Sequence, residues 1–369
     1  MLEIGFLELN KMSLSFYFKP FIYAFLLTLA ITPLMIYFAK KLKFLDIPKD
    51  ERRVHNKPMP IGGGFGMYLV ISFLCLIYLE HDKPLWMLLI SSTIIVFSGL
   101  YDDKWGLSPK LKFLFQIIAA IFLIIGGVKI EFFTNPFGAE DIFNLINLFS
   151  IPITIFWICG ITNTINLIDG LDGLAAGISM ICAISMFFIT ENMNHVAVTL
   201  LCALVAGSCL GFLPYNFNPA KIFMGDTGAL YLGFIISFIT IQGVMKQAAI
   251  LMMFVPVLAL GVPVFDTTFA MIRRKLQGKS IVEADKGHLH HRLLAKGLNQ
   301  RQTVLTLYAI SIIFGILANL IADFKSQTGL VISVLIIAII ILIGIYTGMI
   351  TGKEKKWKFY LYLAQDLKP

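Results

Sequence analysis

The chain has 369 residues, of which 58% are apolar and only 14% are charged, with 30 Lys and Arg residues against 22 Asp and Glu. A soluble domain carries about 25% charged residues because its surface faces water, so this composition excludes a soluble globular protein. It also excludes a disordered chain and a disulfide-stapled scaffold, and leaves a polytopic membrane protein.

Eleven apolar segments are long enough to cross a bilayer as helices, which takes about 20 residues each. They are continuous and do not alternate with a period of two, so a β-barrel is excluded. The ninth contains Pro256 and Pro263, which predict a kink. The predicted fold is therefore all-α, a single transmembrane domain over 1–369. The segments lie near 20–40, 64–80, 84–101, 112–128, 148–165, 171–190, 195–213, 228–245, 248–272, 303–323 and 328–350.

Basic residues give the predicted orientation of these helices. One set of alternate connections holds 24 of the 30 Lys and Arg residues. By the positive-inside rule, these connections and the C-terminus are cytoplasmic and the N-terminus is outside. The basic face also favours anionic lipid headgroups, and no soluble basic domain is left to bind nucleic acid. The cytoplasmic loops carry most of the polar motifs and are predicted at 41–63, 102–112, 163–173, 214–227 and 273–302.

The other connections are plain, apart from residues 129–148, which are predicted to form a surface hairpin. The cysteines lie inside apolar runs without a CxxC pair, so small buried side chains are predicted for all of them. They are Cys75, Cys159, Cys182, Cys202 and Cys209.

Two adjacent acidic residues, Asp102 and Asp103, end the third predicted helix. On a helix their side chains point about 100° apart, so one could hold a metal while the other meets a substrate. The alternative is a solvated helix end, although carboxylates at a helix C-terminus oppose the dipole.

Four polar side chains follow the fifth apolar segment at intervals of three residues: Asn163, Asn166, Asp169 and Asp172. If this stretch is helical, the two aspartates share a face. Glycines after each aspartate leave room for a ligand or another chain. Because burying polar groups without partners is costly, a functional site is favoured over a plain turn.

Asp226, in the sequence MGDTG (224–228), opens the eighth predicted helix. Free backbone N–H groups and the helix dipole there favour a phosphate or a metal-bound anion. The alternative is an aspartate that only caps its own helix.

Histidines cluster in the segment 287–293, GHLHHRL, which carries His288, His290, His291 and Arg292. A zinc site would need further ligands and no cysteine is near, so contacts to phosphate fit better, with Arg292 as a bidentate donor. Asp266, inside the ninth segment, is either a functional carboxylate or a hydrogen-bonding group within the bundle.

Carboxylates and amides on one face favour a hard divalent cation, Mg²⁺ or Mn²⁺. The residues themselves therefore predict metal-dependent phosphoryl chemistry at the cytoplasmic membrane surface. A transporter is the alternative from another class, and its inverted repeats are not visible in the sequence.

These residues lie in six motifs that resemble those of the polyprenyl-phosphate N-acetylhexosamine-1-phosphate transferases, relatives of the phospho-N-acetylmuramoyl-pentapeptide translocase. The HxHHR form of the last motif is similar to the hexosamine branch, whereas the translocase has three successive histidines followed by Phe-Glu. A CDP-alcohol phosphotransferase would carry Ala-Arg soon after its first DG and two further spaced aspartates, which this chain lacks. In order the motifs are LDIPKDERRVHNKPMPIGGG, GLYDDKWGLSPKLK, NTINLIDGLDGLAAG, FMGDTGALYLG, VPVFDT and GHLHHRL.

The resemblance implies Mg²⁺-dependent transfer of an N-acetylhexosamine 1-phosphate, GlcNAc-1-phosphate in particular, from a UDP-sugar to undecaprenyl phosphate, with release of UMP. It implies a multi-pass protein of the bacterial plasma membrane with the active site facing the cytoplasm. The reaction would be the first membrane step of cell-envelope polysaccharide synthesis. The oligomeric state is left open, with a homodimer among the candidates.

The resemblance also implies roles for individual residues. Asp226 is the metal ligand with Asn166 beside it, and Lys112 contacts the lipid phosphate. The catalytic aspartates are Asp102, Asp103 and Asp169. The residues facing uridine are Asp169, Gly170, Leu171, Asp172, Asn216 and Phe223. The residues facing the diphosphate of the donor are His288, His290, His291 and Arg292.

Overall fold

The computed structural model describes residues 14–46, 58–130, 149–245, 251–280, 287–322 and 326–351. Within these ranges the chain is almost entirely helical, with one antiparallel pair of two-residue strands. The elements are α1 (Leu14–Lys41), β1 (Leu45–Asp46), β2 (Met59–Pro60), α2 (Gly63–Tyr78), α3 (Lys83–Trp105), α4 (Pro109–Ile125), α5 (Ser150–Ile168), α6 (Leu174–Asn192), α7 (Val196–Asn216), α8 (Gly225–Thr240, continued by a π-turn over Ile241–Met245), α9 (Leu251–Ala259), α10 (Gly261–Leu276), α11 (Leu289–Ala295), α12 (Gln300–Ala322) and α13 (Ser326–Tyr346).

Helices lie at each of the eleven apolar segments, which confirms the all-α, polytopic prediction. In the described part of the chain, seven helices are long and apolar enough to cross a membrane: α1, α3, α5, α6, α7, α8 with its π-turn, and α12. Shorter apolar helices lie at α2 and within α13. The orientation of the termini and the single domain over 1–369 stay predictions. The predicted hairpin falls mainly on residues 131–148, outside the described ranges, as do parts of two predicted loops, 47–57 and 281–286.

The predicted kink in the ninth segment is confirmed as a break at Leu260, between α9 and α10. Pro263 has no N–H, so the carbonyl of Ala259 lacks its usual helical donor. The Cys182 thiol of α6 lies 3.2 Å from that carbonyl oxygen and takes the place of the missing donor. All five cysteines are buried, as predicted.

Helix α8 lies at the centre of the bundle, and nearly all of its residues are buried. Its N-terminal turn touches α2 and α3 at backbone distance: a Cβ on Gly64 would overlap the main chain of Gly228, and one on Gly99 would lie 2.5 Å from the Cα of Thr227. Only glycine allows this approach. The close contact places the start of α8 directly beside the end of α3.

Candidate active site

The five loops predicted to carry the chemistry meet at one end of the helix bundle. The main chain of Ile61 pairs with that of Phe223, which joins the first and fourth loops. His290 in the fifth loop abuts Gly170 in the third. The second loop contacts the fourth through its aspartates. The polar motifs therefore share one end of the molecule, and its cytoplasmic location stays a prediction.

Asp103 caps a helix other than its own. Its Oδ1 accepts a hydrogen bond from the backbone N–H of Asp226 at 2.7 Å, and its Oδ2 accepts from the N–H and the hydroxyl of Thr227 at 3.2 and 2.6 Å. The cap position itself, Met224, supplies no side-chain bond. Asp103 thus satisfies the free N–H groups and the positive dipole end of α8.

The alternative considered for Asp226 is a residue that caps its own helix. Asp103 makes the capping hydrogen bonds instead, so Asp226 is not the N-cap of α8. Asp226 lies one residue inside α8, in the first turn, as predicted. One of its carboxylate oxygens, Oδ2, forms an ion pair with the ammonium of Lys112. Its position at the helix start therefore serves this charged contact.

Asp102 has different partners from Asp103. Its Oδ2 forms an ion pair with the same Lys112 ammonium, and its Oδ1 accepts from the backbone N–H of Leu107. The Lys112 ammonium therefore lies between the carboxylates of Asp102 and Asp226. The contact of Lys112 with the lipid phosphate stays a prediction. One positive charge thus lies between two negative charges at this point of the site.

The third loop departs from the helical geometry considered for it. Helix α5 ends at Ile168 and residues 169–173 form successive turns, so Asp169 and Asp172 do not share a helix face. Gly173, with a φ of 79°, begins α6 from the left-handed region, which favours glycine. Asp172 accepts hydrogen bonds from the Asn218 side chain at 3.0 Å and from the N–H of Ala220 at 3.1 Å. Asp172 therefore ties the third loop to the fourth.

Two further side chains hold the third loop at Gly173. The Asn216 amide accepts from the N–H of Gly173 at 3.1 Å and donates to the carbonyl of Ile222 at 3.0 Å. The Tyr308 hydroxyl, from α12, donates to the carbonyl of Gly173. Sequence analysis missed Tyr308, because a tyrosine in an apolar helix gives no signal of such a contact.

The two asparagines of α5 have different environments. Asn163 exchanges two hydrogen bonds, of 2.6 and 3.2 Å, with the buried amide of Gln116 in α4, another residue that sequence analysis missed. Asn166, closer to the loop, makes no side-chain hydrogen bond within the described residues, and neither does Asp169. Asn166 and Asp169 are therefore the polar groups of this stretch that are free to contact a ligand.

Asp169 lies in a strongly acidic environment. Burial raises the pKa of its carboxyl to about 8, and repulsion from Asp226, Asp103 and Asp172 adds to the shift. This repulsion shows that the aspartates of three loops are close enough to interact. A cation bound among these carboxylates would favour the charged form of Asp169 and relieve the repulsion.

His290 lies against Gly170, the residue after Asp169. It is only 3% exposed, and a Cβ on Gly170 would lie 2.8 Å from its Nε2. Its Nδ1 is buried and has no hydrogen-bond partner among the described residues. Burial, with repulsion from His291 and His288, lowers its pKa to about 4. In the protein without ligand, His290 is therefore uncharged at neutral pH.

Arg292 faces the end of α13. Its guanidinium donates to the carbonyls of Gly287, Thr347 and Gly348 at 3.0, 3.2 and 2.9 Å, and so joins α11 to the turn after α13. Leu171, another residue assigned to the donor, has its side chain in the core with 4% exposure. The contacts of both residues with the donor stay predictions.

The donor atoms at this end of the bundle fit Mg²⁺ or Mn²⁺. Within the described ranges, no group of three or more His, Cys, Asp or Glu side chains could hold a metal ion by itself. Mg²⁺ does not need one, because it keeps several waters and binds one or two carboxylates together with substrate phosphates. Asp226, Asp169 and Asn166 offer such oxygen atoms. The side chains of Asp169 and Asn166 make no hydrogen bond in the described part of the chain.

Comparison with known proteins gives the family of this chain. The family described as glycosyl transferase family 4 matches residues 85–244. A probable undecaprenyl-phosphate N-acetylglucosaminyl 1-phosphate transferase of Bacillus subtilis is 41% identical over 347 residues, 94% of this chain and 96% of that protein. A decaprenyl-phosphate N-acetylglucosaminephosphotransferase of Mycolicibacterium smegmatis is 35% identical over 79% of each chain. A phospho-N-acetylmuramoyl-pentapeptide-transferase of Staphylococcus saprophyticus is 34% identical over 80% of this chain and 96% of that protein. With these relatives aligned over most of their length, the chain belongs to glycosyl transferase family 4.

Proposed function

We propose that the protein transfers N-acetylglucosamine 1-phosphate from UDP-N-acetylglucosamine to undecaprenyl phosphate and releases UMP. The reaction is Mg²⁺-dependent and takes place at the cytoplasmic face of the bacterial plasma membrane. The observation that carries the proposal is the acidic cluster built from three loops at one end of an apolar helix bundle, in a chain 41% identical to a protein named for this transfer.

The acceptor needs little activation. A phosphate monoester has a second pKa near 6, so it is largely a dianion at neutral pH. One of its oxygens attacks the β-phosphorus of the donor, a new P–O bond forms, and the bond from that phosphorus to the bridging oxygen breaks. UMP leaves with the bridging oxygen. Positioning and charge neutralisation are therefore the main tasks of the protein.

The acidic cluster contributes to positioning and charge neutralisation by binding cations. Asp226, Asp169 and Asn166 would hold Mg²⁺, which when bound neutralises phosphate charge and polarises the phosphoryl group. Lys112, already between Asp102 and Asp226, supplies a second positive charge at the same point. Asp103 fixes the start of α8, so that Asp226 stays in place.

The direct test uses the purified full-length protein with UDP-N-acetylglucosamine, undecaprenyl phosphate and Mg²⁺. We expect UMP and a lipid-linked N-acetylglucosamine diphosphate in equal amounts, and loss of both products in excess EDTA with recovery on adding Mn²⁺. UDP-N-acetylgalactosamine and UDP-N-acetylmuramoyl-pentapeptide serve as competing donors. Movement of a solute without UMP release would indicate a transporter, and full turnover in EDTA would contradict the metal.

A methyl group at Gly170 is expected to disturb the donor site. In Gly170→Ala the new Cβ would meet His290 Nε2 at 2.8 Å, so the loop or the histidine must shift. We expect the KM for UDP-N-acetylglucosamine to rise about tenfold and the KM for undecaprenyl phosphate to stay unchanged. Gly160→Ala is the matched control, because a Cβ at Gly160, in the same helix as Asn166, meets nothing within 4 Å. Equal effects of the two substitutions would rule out the assigned contact.

A further inference from the structure

Asp266 is a buried carboxylate whose partners lie in the fifth loop. It is on α10 and is 5% exposed. Its Oδ2 lies 2.8 Å from His288 Nδ1, and its Oδ1 accepts from the backbone N–H of Leu289 at 2.8 Å. Both carboxylate oxygens therefore bind successive residues at the start of α11.

The neighbours of His288 select one tautomer of its ring. Arg274 Nη2 lies 3.4 Å from His288 Nε2, and both side chains are buried. Because a guanidinium only donates hydrogen bonds, Nε2 is the accepting nitrogen. The proton of the neutral ring is then on Nδ1 and is donated to Asp266. This pair of contacts fixes both the proton position and the orientation of the ring.

The fixed ring leads directly to the donor site. The rings of His288 and His290 stack with centroids 5.9 Å apart and planes at 12°. His290 in turn abuts Gly170, next to Asp169. Helix α11 has only seven residues, too few to be stable by itself, so its position depends on contacts at its ends.

We propose that Asp266 is a positioning residue for the donor site. It anchors the first turn of α11 and holds His288 in one tautomer, and in this way sets the distance between His290 and the loop of Asp169 and Gly170. The proposal rests on the proposed function. A carboxylate in an apolar helix is costly to bury, and the hydrogen bonds of Asp266 go to a loop of the site instead of a neighbouring membrane helix.

The test compares two substitutions in the full-length enzyme. Asp266→Ala removes both acceptors. Asp266→Asn keeps the shape and one acceptor for Leu289, but its amide cannot accept the His288 proton. We expect Asp266→Ala to raise the KM for UDP-N-acetylglucosamine about tenfold or more, with the KM for undecaprenyl phosphate within about twofold of the wild-type value. The donor KM of Asp266→Asn should lie between the values for the wild type and Asp266→Ala. The calorimetric Kd of UMP, measured without turnover, should follow the same order.

A partly buried hydrogen bond between α6 and α12 provides the matched control. Asn319 of α12 donates to the Ser185 hydroxyl of α6 at 3.1 Å. Asn319→Ala should lower the thermal unfolding midpoint but leave both KM values and the Kd of UMP unchanged. The same pattern in Asp266→Ala would show a purely structural role and overturn the proposal.

A double substitution tests whether Asp266 acts through His288. Asp266→Asn keeps an acceptor for Leu289, so Asp266→Asn combined with His288→Ala should raise the donor KM no further than His288→Ala alone. Additive effects of these two substitutions would contradict the proposal. If Asp266→Ala does not fold, Asp266→Asn decides by the same criteria. Wild-type protein without transfer activity would refute the proposed function. Wild-type transfer together with an unchanged donor KM in the Asp266 variants would refute only the role of Asp266.

Discussion

Asp226→Asn is expected to lower the rate of N-acetylglucosamine 1-phosphate transfer by about 10²-fold or more, the size of effect seen when one group that stabilises transition-state charge is removed. Asparagine keeps the shape of the side chain and removes the charge that pairs with Lys112. The helix itself should persist, because its cap is Asp103 and not Asp226. The measurements are kcat, the thermal unfolding midpoint and Mn²⁺ binding detected by electron paramagnetic resonance.

Asp82→Asn is the matched control for this substitution. Asp82 also lies at a helix N-terminus, where it accepts a hydrogen bond from the N–H of Leu85 at 2.9 Å, but it belongs to the loop before α3 at the other end of that helix. Asparagine is as good a cap as aspartate, so stability and turnover should both be retained. Asp226→Asn with turnover above about a tenth of the wild-type value would contradict its assignment to the metal and phosphate site.

Local patterns in the sequence predicted the helices and the end of the bundle that carries the site. Continuous apolar runs set the spans, because a lipid-facing backbone must satisfy its hydrogen bonds within the helix. Successive spans cross the membrane in opposite directions, so every second connection lies on the same side. The polar motifs, such as the one around Asp226, lie in these connections and are therefore expected at the same end of the bundle. Pro256 and Pro263 likewise predicted a kink in the ninth segment, and the chain breaks between α9 and α10.

Pairings between distant residues were not predictable in this way. The contact of Asp103 with the start of α8 joins residues 123 and 124 positions apart, and that of Asn216 with Gly173 joins residues 43 apart. No periodicity encodes such contacts, since each depends on how the helices pack. The helical reading of Asp169 and Asp172 failed because residues 169–173 turn after Ile168.

Asp102→Asn and Asp103→Asn are expected to lower activity in different ways. Asp103 accepts three hydrogen bonds from Asp226 and Thr227, and asparagine has only one acceptor oxygen. At least one donor at the start of α8 then loses its partner, which costs about 1 kcal/mol of stability. We therefore expect a lower unfolding midpoint together with a rate loss that neither higher pH nor added Mg²⁺ restores.

Asp102→Asn should leave the midpoint nearly unchanged, because the helix cap stays intact, asparagine keeps an acceptor for the Leu107 N–H, and Lys112 keeps Asp226 as its partner. Asp102 shares the Lys112 ammonium with Asp226, so removing its charge lowers the negative potential where the cation would bind. The rate of Asp102→Asn should then be partly recovered at raised Mg²⁺ concentration. Recovery at raised pH would instead indicate that Asp102 takes the proton of the lipid phosphate. Unfolding midpoints and rate profiles against pH and Mg²⁺ measure the difference. Identical midpoints and profiles for the two variants would mean that the adjacent carboxylates share one role, in spite of their different partners.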